Sequence, residues 1–291
     1  MAQPQGFVDP TYPNHVCKLH NEIYGLKQAP QAWFDTLNGT LVQWGYTNKK
    51  PDSSLFFSIK NGNLLLILVY VDDNLITGAD TAEIQHLIST LNNSFSLKNL
   101  GPVQYFLGFE VQRTTNEICL TQQKYTTDLL AKTQLLDSKP QSTPMCSTTK
   151  LSATISTPMD NPTHYRSIIG ALQYLIMSRP DDAFTVNKLS QYMQAPTSEH
   201  WGACKKILRY LAGLIVHGLV YKLATRFDIQ GFTDSDWAGC FDDRKSTSGY
   251  CIFLGENLIS WCSKKQIVVA RSSTESEYRA LSLATVEIIW I

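Results

Sequence analysis

What this chain of 291 residues lacks narrows its chemistry before any motif is read. It has no net charge, since 25 Lys and Arg stand against 25 Asp and Glu. The total therefore shows no strong field for attracting nucleic acid, and any such attraction has to come from local basic patches. It has no Cys-x-x-Cys pair: the seven cysteines lie at 17, 119, 146, 204, 240, 251 and 262. An odd count without paired spacing argues against zinc and against a disulfide framework, and predicts a reduced intracellular protein, cytoplasmic or nuclear. It has no apolar run of membrane-spanning length; residues 64–71 are far too few. The opening Met1-Ala2-Gln3-Pro4-Gln5-Gly6 is neither a signal peptide nor a transit peptide. Apolar residues still make up 43 %, enough for a real core, and the length suits one large domain or a few smaller ones.

The most informative feature present is Tyr70-Val71-Asp72-Asp73. Residues 64–71 carry no charge, and the chain then places two acids side by side before resuming with Leu75-Ile76-Thr77-Gly78. Buried carboxylates are costly unless something binds them. Paired carboxylates are what oxygen-seeking divalent cations need, and two-metal sites use them to clamp both oxygens of a phosphoryl displacement. Asp72-Asp73-Asn74 equally suits a plain hairpin tip.

Periodicity places these acids in an α+β chain. A helix is expected over 31–44, with Ala32, Trp33, Leu37, Leu41 and Trp44 as its stripe and Pro30 in its first turn. Residues 55–59, the turn Asn61-Gly62 and residues 64–71 read as a hairpin, with a third strand over 75–77. A helix over 81–95, strands over 105–112 and 118–121, and a helix over 122–132 follow. Residues 137–162 are rich in Ser, Thr and Pro and read as a linker or an extended crossing segment. Helices over 163–177, 181–193 and 198–211 come next. Residues 166–209 hold six basic and three acidic side chains, a modest basic surface that a solvated helix face also explains.

The tail returns to strands over 227–234, 250–254, 258–262 and 267–270, closed by a helix over 272–291. Ser272 with Glu275, or Thr274 with Glu277, has capping-box spacing. Leu281, Ala284 and Ile288 set that helix's inward stripe, and Glu277 falls on the same stripe while Glu275 does not. An acid facing a sheet among apolar neighbours is poor for stability and sensible for a metal. Asp234 and Asp236, on one face of the strand, are its candidate partners. A turn starting at Asp236 and a favourable dipole position for Glu277 explain the same residues without a metal.

These residues together resemble the reverse transcriptase and RNase H region of the Pol polyprotein of copia-type LTR retrotransposons. The resemblance runs over nearly the whole chain. It rests on Gln5-Gly6-Phe7-Val8-Asp9-Pro10, Ile23-Tyr24-Gly25-Leu26-Lys27-Gln28-Ala29-Pro30, Tyr70-Val71-Asp72-Asp73, Tyr105-Phe106-Leu107-Gly108 and Arg179-Pro180-Asp181. Thr233-Asp234-Ser235-Asp236-Trp237-Ala238-Gly239, Ser246-Thr247-Ser248-Gly249-Tyr250 and Glu275-Ser276-Glu277-Tyr278 complete it.

The resemblance implies a partial right-hand polymerase followed by a partial RNase H-like mixed sheet with a helix. Residues 1–136 would be fingers and palm, 137–162 a linker, 163–222 a helical thumb and connection, and 223–291 the RNase H-like domain. Asp72 and Asp73 would be two of three palm carboxylates holding two Mg²⁺ (or Mn²⁺) ions, which activate the primer hydroxyl and stabilise the leaving pyrophosphate. Tyr24, Gly25, Lys27, Gln28, Pro30 and Tyr70 would line the nucleotide and template pocket, and Phe106, Leu107 and Gly108 the primer grip. Lys205, Lys206 and Arg209 would meet the nucleic-acid backbone, a salt-sensitive contact. Asp234 and Glu277 would be RNase H acids, with Asp236 the alternative to Asp234. The implied partners are an RNA template, a DNA primer, their hybrid, dNTPs and the rest of the polyprotein, with no membrane.

Two departures qualify the resemblance. Met1-Ala2-Gln3-Pro4 resembles an internal family stretch that follows the first palm aspartate, and the family draws a further RNase H acid from a strand beyond the last helix. The expectation is a chain cut at both ends, with one acid missing from each site and with little activity alone. A non-enzymatic nucleic-acid-binding remnant and a pseudogene product are the alternatives. The second departure is Asp182, where the family usually has an apolar residue; at a helix start an acid is tolerated.

Overall fold

The computed structural model describes all residues except 20–24, 50, 51, 61, 72, 147, 148 and 155. The chain divides into two compact units, residues 1–103 and 104–291.

In the first unit, α1 (Ala29–Gln43) leads to a four-stranded antiparallel meander, β1 (Thr47–Lys49), β2 (Asp52–Lys60), β3 (Asn63–Tyr70) and β4 (Asp73–Gly78), followed by α2 (Thr81–Phe95). Pro30 sits in the first turn of α1, where its missing N–H costs nothing. Asp80 caps α2 by accepting from the Ala82 N–H at 2.8 Å. One sheet face buries Phe56, Leu65, Ile67 and Val69 against Leu37 and Leu41 of α1 and Leu87 and Leu91 of α2. Each such burial contributes about 1.5–3 kcal/mol. Of the expected Asn61-Gly62 turn, Asn61 lies outside the described residues, and Gly62 has the positive φ, +83°, that the turn requires.

The second unit begins with β5 (Tyr105–Phe106), β6 (Phe109–Arg113), β7 (Glu117–Thr121) and α3 (Gln123–Lys132). The helical body follows: α4 (Pro162–Leu175), a 3₁₀ turn (Pro180–Asp182), α5 (Ala183–Ser190) and α6 (Ser198–Ala212). Next come β8 (Gly218–Lys222), β9 (Ile229–Asp236), β10 (Thr247–Leu254), β11 (Asn257–Lys265) and α7 (Ser273–Trp290). β8 pairs with β7, giving a sheet ordered β5-β6-β7-β8, while β9, β10 and β11 form a separate antiparallel sheet. Leu129, Leu130, Tyr165, Ile168, Ile169, Leu172, Leu175, Val186, Leu189, Ile207, Leu208 and Leu211 form the core between the helices.

Four expectations need correction. The strand expected over 105–112 is broken into β5 and β6, because Leu107 (φ +49°) and Gly108 (φ +82°) reverse the chain between the paired residues Phe106 and Phe109. The helix expected over 181–193 starts through the 3₁₀ turn and ends at Ser190. Residues 267–270 form no strand; Ile267 is 84 % exposed. Asp182 does not stand in solvent at a helix start: it is buried, with no hydrogen-bond partner for either oxygen among the described residues.

Among its described residues the segment 137–162 has no strand or helix before Pro162, yet it is packed. Leu151 and Ser152 are buried, the Tyr192 hydroxyl donates to the Leu151 carbonyl at 3.0 Å, and Ser152 Oγ donates to Asp242 Oδ1 at 2.5 Å. Among the described residues no helix is long and apolar enough to cross a membrane.

Candidate nucleic-acid and metal sites

In the first unit the candidate centre is the β3–β4 tip. Tyr70 pairs directly with Asp73, so the connection between them is two residues long. Val71 has φ +50°, a conformation a β-branched residue adopts only when its surroundings hold it. Trp33 is what holds it: its indole N–H donates to the Val71 carbonyl at 2.9 Å, and its ring meets Phe95 edge-on. Asp73 opens β4 with an exposed carboxylate that has no hydrogen-bond partner among the described residues. Asp72 lies outside the described residues, as does Tyr24. Gly25, Lys27, Gln28 and Pro30 are exposed on the entry to α1, the helix that carries Trp33 to the tip. The sequence placed Trp33 in an apolar stripe; its clamp on the tip depends on an N–H that no periodicity reveals.

In the second unit, Phe106, Leu107 and Gly108 are half-buried around the β5–β6 turn. Tyr174 of α4 donates its hydroxyl to the Leu107 carbonyl at 2.7 Å, and the Tyr125 ring meets Tyr174 edge-on. A Cβ at position 108 would lie 2.0 Å from the Tyr174 hydroxyl oxygen, so glycine is required by space as well as by φ.

Of the three α6 cations, two are engaged within the protein. Lys206 Nζ lies 2.6 Å from Cys146 Sγ, and Arg209 Nε donates to the Lys139 carbonyl at 2.9 Å. Both tie the crossing segment to α6, and the ammonium holds the Cys146 thiol below its usual range. Lys205 is exposed and has no partner among the described residues.

The tail acids separate by environment. Asp236 is half-buried and accepts from the Thr247 N–H, and a Cβ at Gly239 would collide with its Oδ2. Burial raises its pKa, with a smaller raising effect from Asp234 and a lowering one from Lys188 of α5. Asp234 is exposed and without a hydrogen-bond or ion-pair partner among the described residues. Glu275 is occupied by Arg279 and the Arg271 N–H, each at 2.8 Å.

Glu277 contradicts the sequence expectation: it is exposed, and so is Leu281, at 48 %. The inward stripe of α7 is Ser276, Ala280 and Ala284. Small side chains let the helix lie close on the sheet, so close that a Cβ at Gly231 would meet Ile288 at 2.9 Å. Glu277 is thus free to bind but is not pressed against the sheet. The packed side of α7 is held by Gln266, whose Nε2 lies 3.3 Å from Ser235 Oγ, 3.0 Å from Ser248 Oγ and 3.0 Å from the Ser276 carbonyl. Sequence reasoning passed over Gln266, and the polar run Ser246, Ser248 and Ser276 was the available hint.

Among the described residues no three His, Cys, Asp or Glu side chains converge on one point. Asp73, Asp234 and Glu277 nevertheless fit a hard cation in kind: exposed carboxylates with free oxygens are the donors Mg²⁺ prefers.

Comparison with known proteins adds the family. Residues 1–147 match the model of the reverse transcriptase (RNA-dependent DNA polymerase) family. The chain is 47 % identical over 291 residues to the retrovirus-related Pol polyprotein from transposon RE2 of Arabidopsis thaliana, covering 100 % of this chain and 20 % of that protein. It is 37 % identical over 301 positions to the corresponding polyprotein from transposon TNT 1-94 of Nicotiana tabacum, covering 23 % of it. It is 31 % identical to a putative transposon Ty5-1 protein of Saccharomyces cerevisiae, covering 99 % of this chain and 94 % of that protein. The chain therefore spans about a fifth of the length of the RE2 polyprotein. No solved structure matches.

Proposed function

Because the chain belongs to the reverse transcriptases of copia-type retrotransposon Pol polyproteins, we propose that it carries portions of RNA-templated DNA synthesis and hybrid cleavage. Residues 1–136 supply fingers and palm elements, 137–162 a linker, and 163–222 the thumb and connection. An RNase H-like element is supplied by β9–β11 and α7. The observation that carries the reading is the hairpin tip, where the Tyr70–Asp73 pair and the Trp33 clamp present a carboxylate to solvent on a rigid support. Asp72 and Asp73 hold divalent metal at the polymerising centre, while Asp234 and Glu277 are separate candidate ligands for the hybrid-cleaving one, because Asp234 lies on the β9 face that α7 leaves uncovered. Asp234 is preferred over Asp236 because the Asp236 carboxylate already secures the turn to Thr247. A metal so held supplies charge stabilisation to a phosphoryl displacement. The chain's own residues orient the strands: Gly25, Lys27, Gln28, Pro30 and Tyr70 at the template and nucleotide, Phe106-Leu107-Gly108 at the primer, and Lys205 at the backbone. The partners are an RNA template, a DNA primer, their hybrid, dNTPs and the remainder of the polyprotein.

Primer extension on an RNA template, with Asp73→Ala as control, tests the polymerase reading. Cleavage of a labelled RNA–DNA hybrid, with Asp234→Asn as control, tests the second. Turnover abolished by the corresponding variant supports each. A second reading, a nucleic-acid-binding module without turnover, is favoured by the lack of convergence of three acids among the described residues. Salt-dependent hybrid binding without extension or cleavage selects it.

A further inference from the structure

The second unit contains a cleft of ≈ 750 Å³ to which no role has been assigned. It opens between the ends of β7 and β8 and the face of the β9–β10 ribbon that α7 leaves uncovered. Phe232 and Phe253 form its apolar wall, with ring centroids 5.9 Å apart and planes at 88°; Phe232 is 60 % exposed. An exposed aromatic face beside a second, perpendicular ring is a stacking platform. Two side-chain amides, Asn116 and Gln230, line the same cleft and have no hydrogen-bond partners among the described residues.

Charge decides which part of a ligand enters. Lys222 and Arg226 line the cleft, but Glu256 lies 3.8 Å from Lys222, Asp228 lies 2.8 Å from Arg226, and Glu117 adds a third acid. A phosphate gains nothing from such a wall. An uncharged flat ring with hydrogen-bonding edges gains a stacking surface and two free amides, which are the side chains that read base edges.

We propose that the Phe232–Phe253 cleft binds an unpaired nucleobase of a single-stranded segment, with the sugar–phosphate chain left outside. The position relates it to the tail acids: Asp234 lies two residues along β9 from Phe232, on the same face and about 6.6 Å away. A strand anchored at Phe232 is thereby led past Asp234. The inference rests on the nucleic-acid-binding reading above, and it does not require turnover.

The test uses the full chain in magnesium-free buffer with a chelator. The probes are two end-labelled single-stranded DNA oligonucleotides, one with a single 2-aminopurine and one abasic at that position. The expected result is quenching of the 2-aminopurine and weaker binding of the abasic probe by about 5- to 160-fold, the range of one stacked base. Phe232→Ala removes both the quenching and the preference, and Phe232→Trp keeps them; exposure of Phe232 makes either variant compatible with folding, which circular dichroism checks. Equal binding of the two probes by the wild type overturns the proposal while leaving backbone binding intact. Undiminished quenching in a folded Phe232→Ala protein, or no binding of either probe, also overturns it. A base preference that persists when hybrid cleavage is absent keeps this site and removes the catalytic reading.

Discussion

The Asp182 carboxylate lies 3.9 Å from the Arg179 guanidinium, yet Arg179 gives its short hydrogen bonds, 3.0 and 2.7 Å, to Asp181. A third Arg179 N–H goes to the Leu214 carbonyl, and the Tyr210 hydroxyl also donates to Asp181. Asp182, 1 % exposed, is left beside a cation that is already occupied. Burial, with the neighbouring Asp181 charge, pushes its pKa up to about 7 against the partial pull of Arg179.

The consequence is a pH-dependent defect. The unfolded chain releases the Asp182 proton near pH 4, while the folded chain keeps it to about pH 7. Between these values the folded state binds more protons, so stability is full below pH 4, falls as pH rises through 7, and is flat beyond. The loss is roughly 4 kcal/mol. Asp182→Asn, with the shape of the protonated acid, is expected to melt above the wild type at pH 8 and to converge with it near pH 4. Thermal melts across that range check this; parallel curves would refute it.

A second prediction concerns the β5–β6 turn. Tyr174→Phe leaves the Leu107 carbonyl without its donor and is expected to cost about 1 kcal/mol. Gly108→Ala is expected to cost more, roughly 2–4 kcal/mol, because its Cβ meets the Tyr174 hydroxyl at an unfavourable φ. In the Tyr174→Phe background the alanine should cost less, since the colliding oxygen is gone. Urea denaturation of the four proteins in this cycle measures the coupling.

The Gln266 amide gives a third. Gln266→Ala removes its contacts to Ser235, Ser248 and the Ser276 carbonyl, at an expected cost of about 1–3 kcal/mol. The loss should be local. Amide hydrogen exchange is expected to quicken over the first turns of α7 and at Ser235, with the β5–β8 sheet unchanged.

The α6 cations give a fourth. Lys205→Ala is expected to reduce the salt slope of nucleic-acid binding by about 1, as one lost phosphate contact does. Lys206→Met should instead loosen the crossing segment, seen as faster proteolysis between 137 and 150. It should also slow iodoacetamide alkylation of Cys146 at pH 7, because the thiol loses the ammonium that lowers its pKa.

Which parts of this architecture were legible in the sequence follows from where the physics is local. The β2–β3–β4 meander is readable because an uninterrupted apolar run ends in two acids. The β5–β6 turn was missed although Leu107-Gly108 between two phenylalanines carried the signal, because an eight-residue segment rich in aromatic residues, with Val111, reads as one strand. Residues 267–270 have strand-like composition, but the ladder ends one rung past Thr247–Lys265, at the Gln266 N–H to the Ser246 carbonyl, and Ile267 beyond it is exposed. The stripe on α7 was assigned by size, whereas close helix–sheet approach selects serine and alanine. The Trp33 clamp, the Gln266 contacts and the burial of Asp182 join residues far apart in the chain or depend on the packing around them, so no periodicity could disclose them.

The pairing of β7 with β8 also sets an order of events during synthesis. Thr121 finds its partner in Gly218 only after the whole helical body has been made. At ribosomal speeds of about 5–20 residues per second, the intervening stretch of roughly a hundred residues takes on the order of 5–20 s. Throughout that interval the outer edge of β7 is open to any passing strand. A nascent chain released before Lys222 leaves the ribosome with an adhesive flank, whereas one released after it can seal that flank with its own backbone.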